Sequence, residues 1–121
     1  MKDFRDLKVW IKAHELALDC YNVTSNFPKH EIFGIVAQIR RAGSSIGANI
    51  AEGCGRTGDG EFQRFLQMAM GSASELENHL LLARDLHFLE KEKHIGIESN
   101  VIEIKKMLAA LIRKVDIDRY S

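Results

Sequence analysis

From residue 97 onward the apolar side chains Ile97, Val101, Ile104, Leu108, Leu111 and Val115 recur in alternating steps of four and three. Phe62, Leu66, Ala69, Ala73, Leu76, Leu80 and Ala83 repeat the pattern upstream. That spacing winds one apolar stripe along an α-helix and suits helices packed at a shallow angle. Nowhere does the chain alternate apolar and polar residues as a half-buried strand would. Helical periodicity is interrupted at Phe27-Pro28, where the single proline disfavours helix, in the run Gly55-Arg56-Thr57-Gly58-Asp59-Gly60, and in the polar turn Glu90-Lys91-Glu92. The expected helices are about 4–25, 30–54, 60–86 and 91–115, with Asp59 placed to cap the third. Short connections make neighbours antiparallel, so the 121 residues predict one all-α domain, an up-down-up-down four-helix bundle.

The first helix carries more apolar surface than a bundle position needs. At about 100° per residue, Leu7, Trp10, Ile11, Ala17, Leu18 and Tyr21 form one face, and Val9, Ala13, Leu16, Cys20 and Val23 form another beside it. Only Lys8, Lys12, Glu15, Asp19 and Asn22 remain as a polar stripe. A core-facing helix needs about a third of its circumference apolar. The surplus face therefore predicts a contact with another subunit, with Val9, Leu16 and Val23 as the candidate external set. The second helix aligns Ile32, Ile35, Ile39, Ala42, Ile46 and Asn49, flanked by Gly43, Ser44, Gly47 and Ala48. Each glycine costs a helix about 1 kcal/mol, which predicts that backbones approach closely there.

Polar residues also line up. Ser45, Asn49 and Glu52 share a face of the second helix, and Ser72, Glu75 and His79 share one on the third, so facing strips would form a structural polar layer in which every buried group needs a partner. Glu52, Glu75 and His79 are the residues a metal-dependent enzyme would use, yet the Glu-x-x-His pair of di-iron bundles does not occur. The serines sit mid-helix without a strand-turn-helix elbow, and the glycines between Gly43 and Gly60 lack the Gly-Lys-Ser/Thr ending of a phosphate loop. The chain is therefore expected to be no enzyme and to need no cofactor, metal or small-molecule substrate. Cys20 and Cys54 are too far apart for a Cys-x-x-Cys site and read as buried free thiols.

Seventeen basic and seventeen acidic residues cancel, so no global field draws the protein to nucleic acid or to an anionic membrane. A nucleic-acid contact has to come from a local patch. Residues 1–58 hold eight basic and six acidic side chains, and residues 59–121 hold nine and eleven, which makes the second helix the basic side. Arg40 and Arg41 point about 100° apart on that helix. Joined by Arg56, they are the candidate phosphate-contacting residues, the alternative being salt bridges to Glu52 or Glu75. No signal peptide and no apolar run of about 18 residues is present, which predicts a cytoplasmic protein without membrane contact.

A resemblance joins these features. Phe4-Arg5-Asp6-Leu7-Lys8-Val9-Trp10, Phe27-Pro28 with Glu31, Gln38-Ile39-Arg40-Arg41-Ala42, Ser45-Ile46, Asn49-Ile50-Ala51-Glu52-Gly53 and Gly71-Ser72 with Glu75-Leu76 span nearly the whole chain. Together they are similar to the four-helix-bundle proteins encoded in intervening sequences of bacterial 23S rRNA, a family that carries a ribosomal-protein label. The resemblance implies a ring-shaped homopentamer, which would occupy the surplus apolar face, and it leaves the biochemical role undefined. A related branch, the accessory protein of diversity-generating retroelements, is strongly basic and binds reverse transcriptase and nucleic acid. This chain departs from that branch in its zero net charge. His87 stands where the family tends to place a glycine at the end of the third helix, a change expected to affect only the cap. The expected function is a non-enzymatic oligomeric scaffold that binds RNA or a nucleic-acid-handling protein, with a protein-only adaptor as its rival.

Overall fold

A computed structural model describes residues 3–120. A 3-10 turn, Phe4–Asp6, leads into α1 (Lys8–Thr24); a second, Lys29–Glu31, precedes α2 (Ile35–Cys54); α3 (Asp59–Asp85) and α4 (Lys91–Tyr120) follow, with no strand among the described residues. α1 packs on α2, α2 on α3 and α3 on α4, and α4 returns to α1, which closes an antiparallel bundle. The return contact between α4 and α1 is the slightest of the four. No helix among the described residues is long and apolar enough to cross a membrane.

The stripes on α3 and α4 enter the core at the positions their spacing predicts, with Leu66, Leu76, Leu80, Ile104 and Leu108 fully buried and Leu111 only partly so. Burial of each such side chain contributes about 1.5–3 kcal/mol relative to exposure. On α2 the core stripe is Ile35, Val36, Ile39, Ala42, Ile46 and Ile50, with Gly43, Gly47 and Gly53 beside it. Asn49, expected in that seam, lies half-buried next to it, and Ile32 lies outside the helix and is exposed.

The choice of face on α1 is opposite to the expectation. Val9, Ala13, Leu16 and Cys20 are buried in the core, whereas Ile11, Leu18 and Tyr21 point outward with 44–55% of their surface exposed. The glycines of α2 let the two helices come close. A Cβ on Gly43 would come within 2.7 Å of the Cys20 Sγ, and one on Gly47 within 3.4 Å of the Trp10 indole nitrogen and 3.9 Å of the Ala13 Cβ, so larger residues at these positions would push α1 away from this packing. Val23, the third candidate external residue, is half-buried.

Four helix ends also differ from the sequence expectation. α1, expected from about residue 4, begins at Lys8 because Leu7 is extended at φ −81° and ψ 124° after the Phe4–Asp6 turn. α2 begins at Ile35 because Gly34, at φ −104° and ψ −117°, leaves the helical region after the turn that follows Pro28. Asp59 is the first helical residue and not the cap, a position held by Gly58 at φ 86°, where a glycine bears no Cβ penalty. α4 continues past Val115 because its last turns are tied to α3. Gln63 Nε2 donates to Asp116 Oδ1 at 3.2 Å, and Arg119 Nη1 donates to Gln63 Oε1 at 3.2 Å. α3 itself closes in a Schellman arrangement, with His87 N–H donating to the Arg84 carbonyl and Phe88 N–H to the Ala83 carbonyl, both at 3.0 Å.

Candidate functional site

The two adjacent arginines diverge, as their helical positions require. Arg40 turns toward α1, where its Nε donates to Thr24 Oγ1 at 2.9 Å and its guanidinium lies 4.7 Å from the Tyr21 ring centroid. Thr24 is itself buried and donates its hydroxyl to the Cys20 carbonyl at 2.7 Å. Arg40 thus acts as a tie between α2 and α1, and its charge rests against an aromatic face. Arg41 turns toward α3. Its Nη2 bonds the Glu75 carboxylate and also donates to Gln38 Oε1 at 2.8 Å. Glu75 shares the same carboxylate oxygen with His79 Nε2 at 3.1 Å. The hydrogen bond to His79, followed by Arg41, holds the Glu75 carboxyl below its ordinary value.

The expected polar layer between α2 and α3 is not assembled as such. Ser45 Oγ donates to the Ala42 carbonyl at 3.0 Å and Asn49 Nδ2 to the Ser45 carbonyl at 2.9 Å, so both serve their own helix. Short polar side chains within reach of a carbonyl three or four residues back satisfy themselves locally. Glu52 is exposed and sits 3.7 Å from Arg56, one turn further on. Ser72 lies half-buried on the Glu75 side of α3. Only Glu75 reaches across, and its partner is Arg41. Glu52 lies roughly 16 Å along α2 from Arg41, so Glu52, Glu75 and His79 do not converge on one ion. No group of three or more His, Cys, Asp or Glu side chains able to hold a metal occurs among the described residues.

Arg56 lies past the end of α2, roughly 22 Å from Arg41 along the helix direction. Its guanidinium is 5.1 Å from the Phe65 ring, against which Arg64 also rests at 4.6 Å. Arg64 is paired in turn with Glu61 at 2.9 Å. The structure therefore places Arg40, Arg41 and Arg56 in three separate settings within one subunit, each next to a carboxylate, a hydroxyl or an aromatic ring.

Comparison with known proteins now defines the family. The sequence profile of the 23S rRNA-intervening sequence protein family matches residues 5–110. The chain belongs to that family. No match was found among curated proteins. Among solved structures, a crystal structure of a protein of unknown function from the S23 ribosomal protein family of Bacteroides thetaiotaomicron is 30% identical. It covers 87% of this chain and 95% of its own, with a TM-score of 0.80. Neither description names an enzymatic activity.

Within this member of the 23S rRNA-intervening sequence family, the most exposed features lie away from the residues that the sequence singled out. Phe33, in the turn before α2, is 92% exposed. Periodicity gives no warning of it, since a reading that starts the helix near His30 absorbs it; the signal available was an aromatic residue directly before Gly34. Lys106, Arg113 and Lys114 on α4 are exposed and form no ion pair among the described residues, whereas Lys105 is held by Glu77 at 2.9 Å. Both cysteines are buried, and burial, reinforced by Asp19, pushes the Cys20 thiol up to about 12.

Proposed function

We propose that this family member is a non-enzymatic, self-associating helical scaffold, a homopentameric ring whose outer surfaces dock other macromolecules. The observation that carries the reading is the outward face of α1: Ile11, Leu18 and Tyr21 stay exposed although the bundle beneath them already has a complete core. Apolar side chains at this spacing on one helix face are the kind of surface that a second chain buries. The resemblance to ring-forming relatives supplies the number of copies.

Light scattering at micromolar concentration tests this. The wild type should give a multiple of its 13.7 kDa chain mass, and Leu18→Glu should release subunits while leaving helicity intact. A wild-type mass near 13.7 kDa would overturn the proposal. Direct contact with RNA is the second reading. It is favoured by the accessibility of Arg41 and Arg56, whose side chains keep 57% and 48% of their surface despite their partners. A ring would multiply these few contacts. On that reading, RNA affinity falls steeply with added salt, and Arg41→Ala with Arg56→Ala flattens the slope. If no RNA is retained at low salt, the protein-only adaptor is left as the function.

A further inference from the structure

Phe33 is held out, not loosely hung. The turn that presents it is closed by Glu31 N–H to the Pro28 carbonyl at 2.9 Å, Ile32 N–H to the Lys29 carbonyl at 3.2 Å and Gly34 N–H to the Glu31 carbonyl at 3.0 Å. An ordered turn with a fully exposed phenyl ring at its tip forfeits the gain from burying that ring unless something else covers it.

At the neighbouring seam, α1 and α4 leave a cleft. It consists of two adjoining hollows of about 330 and 390 Å³ that share Asp19, Asn22 and Asn100, floored by apolar side chains, among them Leu16 and Ile97. Gly96 lines the larger hollow, and a Cβ placed there meets nothing within 4 Å. A glycine inside a helix lowers helix propensity. At Gly43 and Gly53 close packing within the subunit explains that cost, whereas at Gly71 and Gly96 nothing within the subunit does, and of these two it is Gly96 that lines the hollow. The bare backbone at Gly96 keeps room for a group that arrives from outside. The rim is biased in charge. Lys12 is neutralised by Glu103 at 3.2 Å, while Glu15 and Asp19 form no ion pair among the described residues and Lys93 alone opposes them. Burial and Glu15 both raise the Asp19 carboxyl, as expected for two acids without a cation. The turn bearing Phe33 carries Lys29, His30 and Glu31; Glu31 lies 3.8 Å from His30, which leaves the exposed Lys29 as the charge available to a partner.

We infer that Phe33 of one subunit seats in the cleft between α1 and α4 of the next, over Gly96, with Lys29 toward Glu15 and Asp19. The inference rests on the self-association proposed above and specifies its contact. Knob and cleft lie at the same end of the bundle, because the 25–34 connection joins the end of α1 to the start of α2, and the hollow beside Gly96 is formed by the end of α1 and the start of α4. They sit on different corners, so the contact is head-to-tail, the class that closes into a ring when the rotation allows it.

The test uses the full chain. Phe33→Ala and Gly96→Leu, the latter filling the hollow without a clash inside the subunit, should each raise the concentration needed for assembly at least tenfold at unchanged helicity. A mixture of the single variants Phe33→Cys and Gly96→Cys, mildly oxidised, should yield a covalent dimer whose linked peptides contain positions 33 and 96; Cys20 and Cys54 are buried. An assembled wild type with no 33–96 link, or one whose assembly is unmoved by both Phe33→Ala and Gly96→Leu, overturns this contact and leaves self-association standing. A monomeric wild type overturns both.

Discussion

The seam between α2 and α3 is sealed, whereas the seam between α1 and α4 stands open, although both join antiparallel neighbours of one bundle. Glycine marks the difference. A Cβ on Gly53 of α2 would fall 2.9 Å from the Phe65 Cβ and 3.1 Å from the Phe62 ring, so the helices touch backbone against side chain. Across the seam, Arg41 bonds Glu75. Gly96 of α4 faces empty space, and among the described residues the polar groups that line the α1–α4 cleft are joined by one ion pair, Lys12–Glu103. The same residue type thus permits contact in one seam and keeps another accessible. What a helical glycine means is set by its surroundings, not by its presence.

The sharpest way to break this comparison is the same substitution on both sides. Gly53→Ala should destabilise by about 1–3 kcal/mol, because the Phe65 Cβ cannot swing away from the added methyl. Gly96→Ala should stabilise the subunit by up to about 1 kcal/mol through helix propensity alone. Chemical denaturation at a protein concentration low enough to keep the subunits apart reads both, and equal signs would erase the distinction between the seams. Next in size is His87, which holds φ 66° at the end of α3, a left-handed conformation that costs a residue with a Cβ about 1 kcal/mol. His87→Gly should raise the unfolding midpoint with helicity and assembly unchanged, as expected of a change confined to the cap. A fall would show that the imidazole makes a contact worth more than the strain.

The smallest effect sharpens the sealed seam. Because the Glu75 carboxyl is held down by His79 and Arg41, it contributes stability above its unfolded value near 4.5. That contribution is lost as the pH falls through the lower folded value. The side chain is partly exposed, so solvent screening keeps the contribution below about 1 kcal/mol. Glu75→Gln should flatten the stability profile below pH 5 and leave the neutral plateau lower by that amount. An unchanged profile would mean that the crossing bond carries no stability.

Much of the fold was legible because the information is local. The stripes of α3 and α4 could be read residue by residue, and Phe27-Pro28 and the 55–60 run broke the helices where the turns lie. The site was legible only in part. That Arg41 pairs with Glu75 stood among the open alternatives, but the pairing of Arg40 with Thr24 did not, because a neutral hydroxyl carries no charge to mark it as the partner of an arginine. The polar layer failed because Ser45 and Asn49 found acceptors on their own helix, an option that spacing does not weigh against a partner across the seam.

By itself the sequence determined four helices, their antiparallel order, the core stripes of the last two and membership of the family, since periodicity, breakers and motif spacing are properties of consecutive residues. The tertiary structure alone decided which apolar face of α1 turns inward, that Phe33 stands in solvent, and that Gly96 borders open space while Gly53 lies against Phe65. Each of these depends on the volume presented by a neighbouring helix. A helix with two apolar faces satisfies its own backbone in either orientation, and only its fit against the neighbouring helices, including the close approach at Gly43 and Gly47, makes one orientation the lower in free energy.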